Sequence, residues 1–260
     1  MFVTAAGRAD AEVIQKAEAT AADWKVPYIP RRKKSIPLLL EENQDSECLV
    51  YGKQRMELYT NNSNQPFFFH PNMAAIRIKR LLHGETDPYI EAAGMNRGDS
   101  VLDCTLGLGS DAVVASFYIG EKGAVTGIEG SKHLARILEK GLQDWESGEE
   151  EIREAMRRVK VVNGRHLEIL KSLPDKSWDI VYFDPMFDEA IHESSAIRAI
   201  DPFSTKDALT KEAINEAKRV ARKRVVLKDH FRSPRFAQFG FQVLVRKTSK
   251  FHFGYLETGC

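Results

Sequence analysis

The chain has 260 residues, enough for one large α/β domain, alone or with a small companion. Its 38 basic and 37 acidic residues leave a formal net charge of +1, which excludes gripping nucleic acid by bulk charge alone but not by a local basic patch. Three cysteines with no Cys-x-x-Cys pair suit no disulfide framework, and no apolar run approaches the ~18 residues of a membrane span. A reducing cytoplasm is therefore expected, the more so because residues 1–7 lack the basic leader and apolar core of a signal peptide.

In chain order, residues 2–6 predict a strand and 9–24 a helix. Residues 47–51 and 54–59 predict a hairpin turning at Gly52-Lys53. Pro27, Pro30 and Pro37 surround a basic run, Arg31-Arg32-Lys33-Lys34. That run suits either a solvated loop or contact with RNA phosphates. Phe67-Phe68-Phe69-His70 precedes a basic helix over 73–82 with Arg77, Lys79 and Arg80. The segment suits either stacking of bases with phosphate contact or a buried strand, the commoner role of three consecutive phenylalanines. Together, residues 1–95 predict a small α+β appendage, ending at the turn Asn96-Arg97-Gly98-Asp99.

From there strands and helices alternate. Apolar runs at 100–104, 124–128, 159–163, 178–183 and 224–228 predict strands; 111–118, 131–145, 167–172 and 207–222 predict helices. Val- and Ile-rich strands separated by helices indicate parallel βαβ units covered on both faces. The acidic cluster Glu149-Glu150-Glu151 marks a polar insertion, read as a solvated helix start. Two final strand-like runs, 240–246 and 250–257, are separated by only Lys247-Thr-Ser249. So short a link permits an antiparallel hairpin and no parallel crossover. Residues 96–260 thus predict an α/β, Rossmann-like sheet closed by an antiparallel hairpin, the class I methyltransferase pattern more than that of a dehydrogenase.

Two loops carry the chemistry. The first, Asp103-Cys-Thr-Leu-Gly-Leu-Gly-Ser-Asp111, follows a strand and opens a helix. Gly107 and Gly109 let the backbone turn tightly and approach a ligand with no Cβ in the way. A dinucleotide remains open on the glycines alone, since Ala112 meets the looser dinucleotide pattern. Asp103 argues otherwise, because a carboxylate in that loop repels a pyrophosphate. Asp103 and Asp111 suit S-adenosylmethionine (SAM), with its sulfonium and ammonium groups. Glu129 ends the next strand and can accept hydrogen bonds from both ribose hydroxyls. Asn163, at the end of the third strand, is either an adenine-edge contact or a plain turn residue.

The second loop, Asp184-Pro-Met-Phe187, follows the strand at 178–183. The lone pair of an exocyclic base amine is delocalised into its ring. Asp184 and a neighbouring carbonyl can accept the amine hydrogens, localising the lone pair toward a methyl donor, while Phe187 stacks on the base and Pro185 stiffens the turn. His70, His83, His230 and His252, four of the seven histidines, lack metal-ligand spacing, so no metal is expected. Lys228-Asp229-His230 ends the fifth strand on the functional edge and either lines the substrate cleft or serves as a plain edge loop.

The first loop, Glu129 and Val181-Tyr-Phe-Asp-Pro-Met-Phe187 resemble those of the RsmJ-type bacterial methyltransferases, over roughly residues 70–257. The resemblance implies a SAM-dependent methyltransferase acting on a guanine exocyclic amine in small-subunit ribosomal RNA, with free rRNA or a ribosomal particle as partner. It implies SAM contacts at Ser110, Asp111, Glu129, Gly130, Arg165, His166 and Asp184. The chain departs from the family pattern at Ser110 and Gly130, where arginines are expected, and at Asp188, where a proline is expected. It departs also at Arg165-His166, in place of a serine pair. These departures leave the target nucleotide open. Two rivals stand beside this reading: an NAD(P)-linked enzyme using the same glycine loop, and an RNA-binding protein that has lost catalysis.

Overall fold

A computed structural model describes residues 1–185, 203 and 208–259. The chain divides into two compact units, one built on residues 1–70 and one beginning at Pro71.

The first unit is a four-stranded sheet in the order β1 (Phe2–Ala5), β2 (Glu47–Tyr51), β3 (Met56–Thr60), β4 (Ser63–Phe67). The β1–β2 pair is parallel and the other two are antiparallel. Pro66 is tolerated in β4 because that strand lies at an edge, where a missing N–H costs no ladder bond. Helix α1 (Ala11–Trp24) starts where the Asp10 carboxylate accepts the Val13 N–H at 2.9 Å. A second helix, α2 (Ile36–Glu42), which its short apolar run does not predict, is capped by Ser35 and buries Ile36, Leu39 and Leu40 against Phe2, Cys48 and Val50. Part of the basic run is engaged within this unit. Arg31 donates to the Lys34 carbonyl, and Lys34 pairs with Glu42 at 2.6 Å. Phe67 and Phe69 are buried, as the sequence predicts, while Phe68 lies under the Arg55 guanidinium.

The second unit carries a seven-stranded sheet ordered β10-β11-β9-β8-β5-β6-β7. Its strands are β5 (Ser100–Asp103), β6 (Ala124–Glu129), β7 (Val159–Asn163), β8 (Trp178–Phe183), β9 (Ala221–His230), β10 (Gln242–Leu244) and β11 (Phe251–Glu257). The first five run parallel, and β11 returns antiparallel between β9 and β10. All five predicted core strands and the terminal hairpin are present, and β9 is longer than its apolar centre indicates. The buried strands read Val-Ile-Leu because both faces are covered. On one face α5 (Ser110–Ile119) packs with α3 (Asn72–Leu82) and α7 (Glu150–Arg158); α6 (Lys132–Asp144) covers β6 and β7. The opposite core gathers α8 (His166–Ser172), α9 (Lys211–Val220) and α10 (Arg235–Phe239) around Val181, Phe183, Val225 and Leu227.

The sequence predicts a boundary near residue 96, whereas the large unit starts at Pro71. The cause is polar and aromatic anchoring that no periodicity reveals. Arg77 of α3 pairs with Asp111 of α5, and Tyr89 of α4 (Pro88–Ala93) packs its ring 4.2 Å from Tyr182 and 5.9 Å from Phe253.

Candidate active site at the strand switch point

Strand order reverses between β5 and β8, so the crevice beyond their carboxyl ends is where an open α/β sheet offers a ligand site. Asp103 ends β5 and Asp184 follows β8, which places both sequence-predicted loops at this point. Backbone bonds tie them together. The Cys104 N–H donates to the Tyr182 carbonyl at 2.8 Å, and the Asp184 N–H donates to Thr105 Oγ1 at 2.6 Å.

In the first loop, Gly107 (φ 52°) and Gly109 (φ 75°) take left-handed conformations that a side chain would strain. Gly109 is the N-cap of α5, followed directly by Ser110 and Asp111 in its first turn. Asp103 is 1% exposed and accepts the Thr105 N–H at 3.0 Å. No ion pair reaches it among the described residues. Burial pushes its carboxyl up to about 8; the Thr105 N–H and, more weakly, the Lys228 charge oppose this, while the neighbouring Asp111 and Asp184 charges add to it.

Glu129 ends β6, buried, and accepts the Ser131 N–H at 2.8 Å. Burial raises its pKa too, against backbone N–H groups of Ser131, Gly107 and Gly130. Asn163 joins this corner through its amide, which donates to the Glu129 and Gly130 carbonyls at 2.8 and 3.1 Å. In the geometry present, Asn163 closes the β6 and β7 strand ends. Arg165 is the N-cap of α8; His166 is buried, edge-on to the Phe183 ring at 5.7 Å.

Asp111 and Asp184 are held differently. One Asp111 oxygen meets Arg77 at 2.5 Å; the other accepts the Tyr182 hydroxyl at 3.0 Å and Lys228 at 3.2 Å. Burial works against the Asp111 charge, but Lys228 and Arg77 outweigh it and hold the carboxyl well below the usual range. Lys228 reaches on to Asp184 at 2.6 Å, and Arg77 on to Asp87 through two bonds of 2.8 Å. For Asp184 burial prevails, and its pKa lies above the usual range despite the Lys228 contact. Both cations are themselves raised, their carboxylate partners exceeding the cost of burial. Pro185 is buried directly after Asp184. Phe187 lies outside the described residues.

Sequence reasoning singles out Asp103, Asp111, Glu129 and Asp184, and the fold brings Asp103, Asp111 and Asp184 to one crevice with Glu129 at the next strand end. It takes Arg77 only as one cation of a basic helix suited to RNA phosphates, gives no role to Tyr182 or Thr105, and leaves Lys228 as one of three edge-loop residues. An isolated cation after a Val-Val-Leu strand (Val225-Val-Leu-Lys228) is a signal that could have singled out Lys228, since a lysine is seldom buried unless paired.

The family model described as "Putative SAM-dependent methyltransferase" matches residues 33–252. The chain is 47% identical over 257 residues to "Uncharacterized protein YpiP" of Bacillus subtilis, across 99% of both chains. It is 35% identical to "Ribosomal RNA small subunit methyltransferase J" of Shewanella sediminis over 81% of this chain and 78% of that one. To the protein of that name from Pseudomonas syringae pv. tomato it is 30% identical, spanning 62% of this chain and 60% of the relative. In fold it resembles the crystal structure of the SAM-dependent methyltransferase NGO1261 from Neisseria gonorrhoeae. That likeness has a TM-score of 0.62 at 18% identity, covering 99% and 96% of the two chains.

Proposed function

The chain belongs to the SAM-dependent methyltransferase family, and from that premise we propose that it methylates an exocyclic base amine of RNA in the cytoplasm, the N2 of a guanine in small-subunit rRNA. Bound SAM supplies an electrophilic methyl group on a sulfonium. The residues present suit that cofactor. Asp103 and Glu129 are buried carboxylates that accept backbone N–H bonds and, among the described residues, form no ion pair. Asp103 matches a cationic ligand, and Glu129 a ribose diol. Gly107, Gly109, Ser110 and Gly130 offer backbone close by, and Arg165 and His166 line the next strand end.

The observation that carries the amine reading is Asp184, set at the switch point and joined to Lys228 at 2.6 Å. Through one oxygen Lys228 keeps the carboxylate charged and oriented; the other oxygen is left to accept an amine hydrogen. Drawing those hydrogens away from the ring plane returns lone-pair density to nitrogen. In-line attack on the methyl carbon would break its bond to sulfur, the electron pair staying there, and the proton shed by the methylated nitrogen would pass to the Asp184 carboxylate. Pro185 fixes the chain direction after Asp184, and Phe187 is assigned to stacking on the base. The substrate assignment draws on the rRNA methyltransferases to which the chain is similar.

The test is methyl transfer from SAM to rRNA taken from a strain lacking the gene, with mass spectrometry of the nucleosides. The expected product is N2-methylguanosine, and Asp184→Ala should lower turnover on the order of a hundredfold. A methyl group on a ribose hydroxyl or a ring carbon, or undiminished turnover in the variant, overturns the amine mechanism.

A further inference from the structure

Between Asp229 and Glu257 the chain carries Arg232, Arg235, Arg246, Lys247 and Lys250 and no carboxylate, in a protein whose overall charge is +1. The fold concentrates these cations. β9 ends at His230 and β11 begins opposite it, with Phe251 paired to His230, so the loop after β9 and the turn before β11 meet at the carboxyl edge of the sheet. The Phe231 N–H donates to the Lys250 carbonyl at 3.1 Å, joining the two segments.

Aromatic rings lie among the cations. Phe231 is 44% exposed, an unusual position for a phenylalanine, with its ring 4.6 Å from His230 and 6.1 Å from His252. Arg232 lies 5.0 Å from the Phe231 ring centre, and Arg246 lies 5.3 Å from that of Phe251. The loop is held firmly: buried Asp229 accepts the His230 N–H at 2.7 Å, the Ser233 hydroxyl at 2.6 Å and Arg235 at 2.9 Å. Phe231 is therefore presented outward by a built turn. The rim is also continuous with the active site. Lys228 Nζ lies 5.1 Å from the Phe251 ring centre while bonding to Asp184 at 2.6 Å.

We propose that this rim binds the single-stranded RNA flanking the target nucleotide, a base stacking on Phe231 while Arg232, Arg246 and Lys247 hold backbone phosphates. The assignment rests on the RNA reading above and deepens it. An exposed ring amid cations, in a stretch whose sequence between Asp229 and Glu257 carries no carboxylate, meets the two needs of single-strand binding, a π-face and a positive track. Its continuity with Lys228 and Asp184 suits a base that must leave its stack to reach the reacting centre, with its neighbours held at the mouth.

The test uses the full chain and a protein-free transcript of small-subunit rRNA. Binding is measured across a salt series, methyl transfer in parallel, and SAM binding by calorimetry as a check on folding. Replacing Arg232, Arg246 and Lys247 together by glutamine should weaken RNA binding at least about tenfold. It should also flatten the slope of log affinity against log salt by about 0.7 for each phosphate that is no longer neutralised. Phe231→Ala should weaken binding about tenfold with the salt slope unchanged, and Phe231→Trp should restore it. SAM affinity should stay as in the parent chain. Wild-type RNA affinity and salt slope in both variants overturn the rim, even if methylation of RNA is observed. Rim-dependent RNA binding without methyl transfer to either the transcript or small-subunit particles sustains the rim and overturns the base-amine reading. A defect confined to assembled ribosomal particles, absent on protein-free RNA, assigns the rim to a protein partner and overturns the proposal.

Discussion

Two regions around the switch point each bury carboxylates, and they treat them in opposite ways. On the side of α3, α5 and β9, Asp111 is neutralised by Arg77 and Lys228, and those cations continue to Asp87 and Asp184. At the ends of β5 and β6, Asp103 and Glu129 have N–H donors for company, and burial raises both pKa values. A buried ion pair that satisfies itself is part of the architecture. A buried carboxylate without a cation is costly to keep charged, and a cationic or hydroxyl-bearing ligand relieves that cost. On the function proposed above, the difference separates residues that build the crevice from those proposed to meet the cofactor. Asp111, which the family resemblance assigns to SAM, has its charge engaged by Arg77 and Lys228, so its share in cofactor binding is a point for experiment.

The sharpest way to break this comparison is to remove a cation from the paired side. Arg77→Met leaves Asp87 and Asp111 each short of a partner and should destabilise the protein by about 3–5 kcal/mol in urea unfolding. Adding Asp111→Asn to that variant should recover part of the loss, because one stranded charge is gone. Asp111→Asn alone should lower stability while leaving SAM affinity within about threefold, since its charge is already committed inside the protein. A large loss of SAM affinity with stability intact would return Asp111 to the ligand side.

Much of this arrangement is legible in the sequence because its parts are local. The strand before Asp103, the glycines after it and the helix opening at Ser110 lie within one βαβ unit, and the Lys247-Thr-Ser249 link is too short for anything but a hairpin. The NAD(P) alternative survives the glycines and is closed by family membership, with Asp103 as the physical reason. What escapes is long-range and polar. Arg77 lies 34 residues from Asp111, and Lys228 lies 117 residues from it, so no window of sequence shows the network. The same blindness puts the expected domain boundary at residue 96. Helices α3 and α4 are short, and they join the large unit through Arg77 and Tyr89, whose contacts exist only in three dimensions. The rim at Phe231 is missed for a related reason. Its cations are spread over a loop, a helix and a turn, and pairing of β9 with β11 alone collects them.

On the unpaired side, Glu129→Ala should remove charge-assisted bonds to the ribose and weaken SAM by about 2–3 kcal/mol, or roughly 30- to 150-fold. Urea stability should hold or rise slightly, because a buried carboxylate without a counter-ion is lost. Calorimetry with SAM and its demethylated product should show similar losses, as both carry the ribose. An equal loss of stability and of affinity would place Glu129 in the architecture with Asp111 and erase the distinction.

The pH dependence is the most diagnostic test, since it reads the state of Asp103 directly. With its carboxyl pushed up to about 8, Asp103 is protonated in the ligand-free fold at neutral pH, whereas in the unfolded chain it ionises near 4. A raised folded pKa stabilises below the unfolded value, and that stability is lost as pH climbs through the folded one. The ligand-free protein should therefore lose stability progressively between about pH 4 and pH 8, and Asp103→Asn should flatten that trend. Asp111, whose folded pKa is depressed, acts with the opposite sign and only in more acid solution, so the two windows do not overlap. If the positive charges of SAM draw Asp103 into its ionised form, binding at neutral pH must release a proton. Calorimetry in buffers of different ionisation enthalpy should detect that proton, and affinity should rise by up to about 1.4 kcal/mol per pH unit below pH 8 before levelling. Asp103→Asn should abolish the release. Proton release unchanged in Asp103→Asn would mean that the titrating group lies elsewhere and that Asp103 does not face the cofactor.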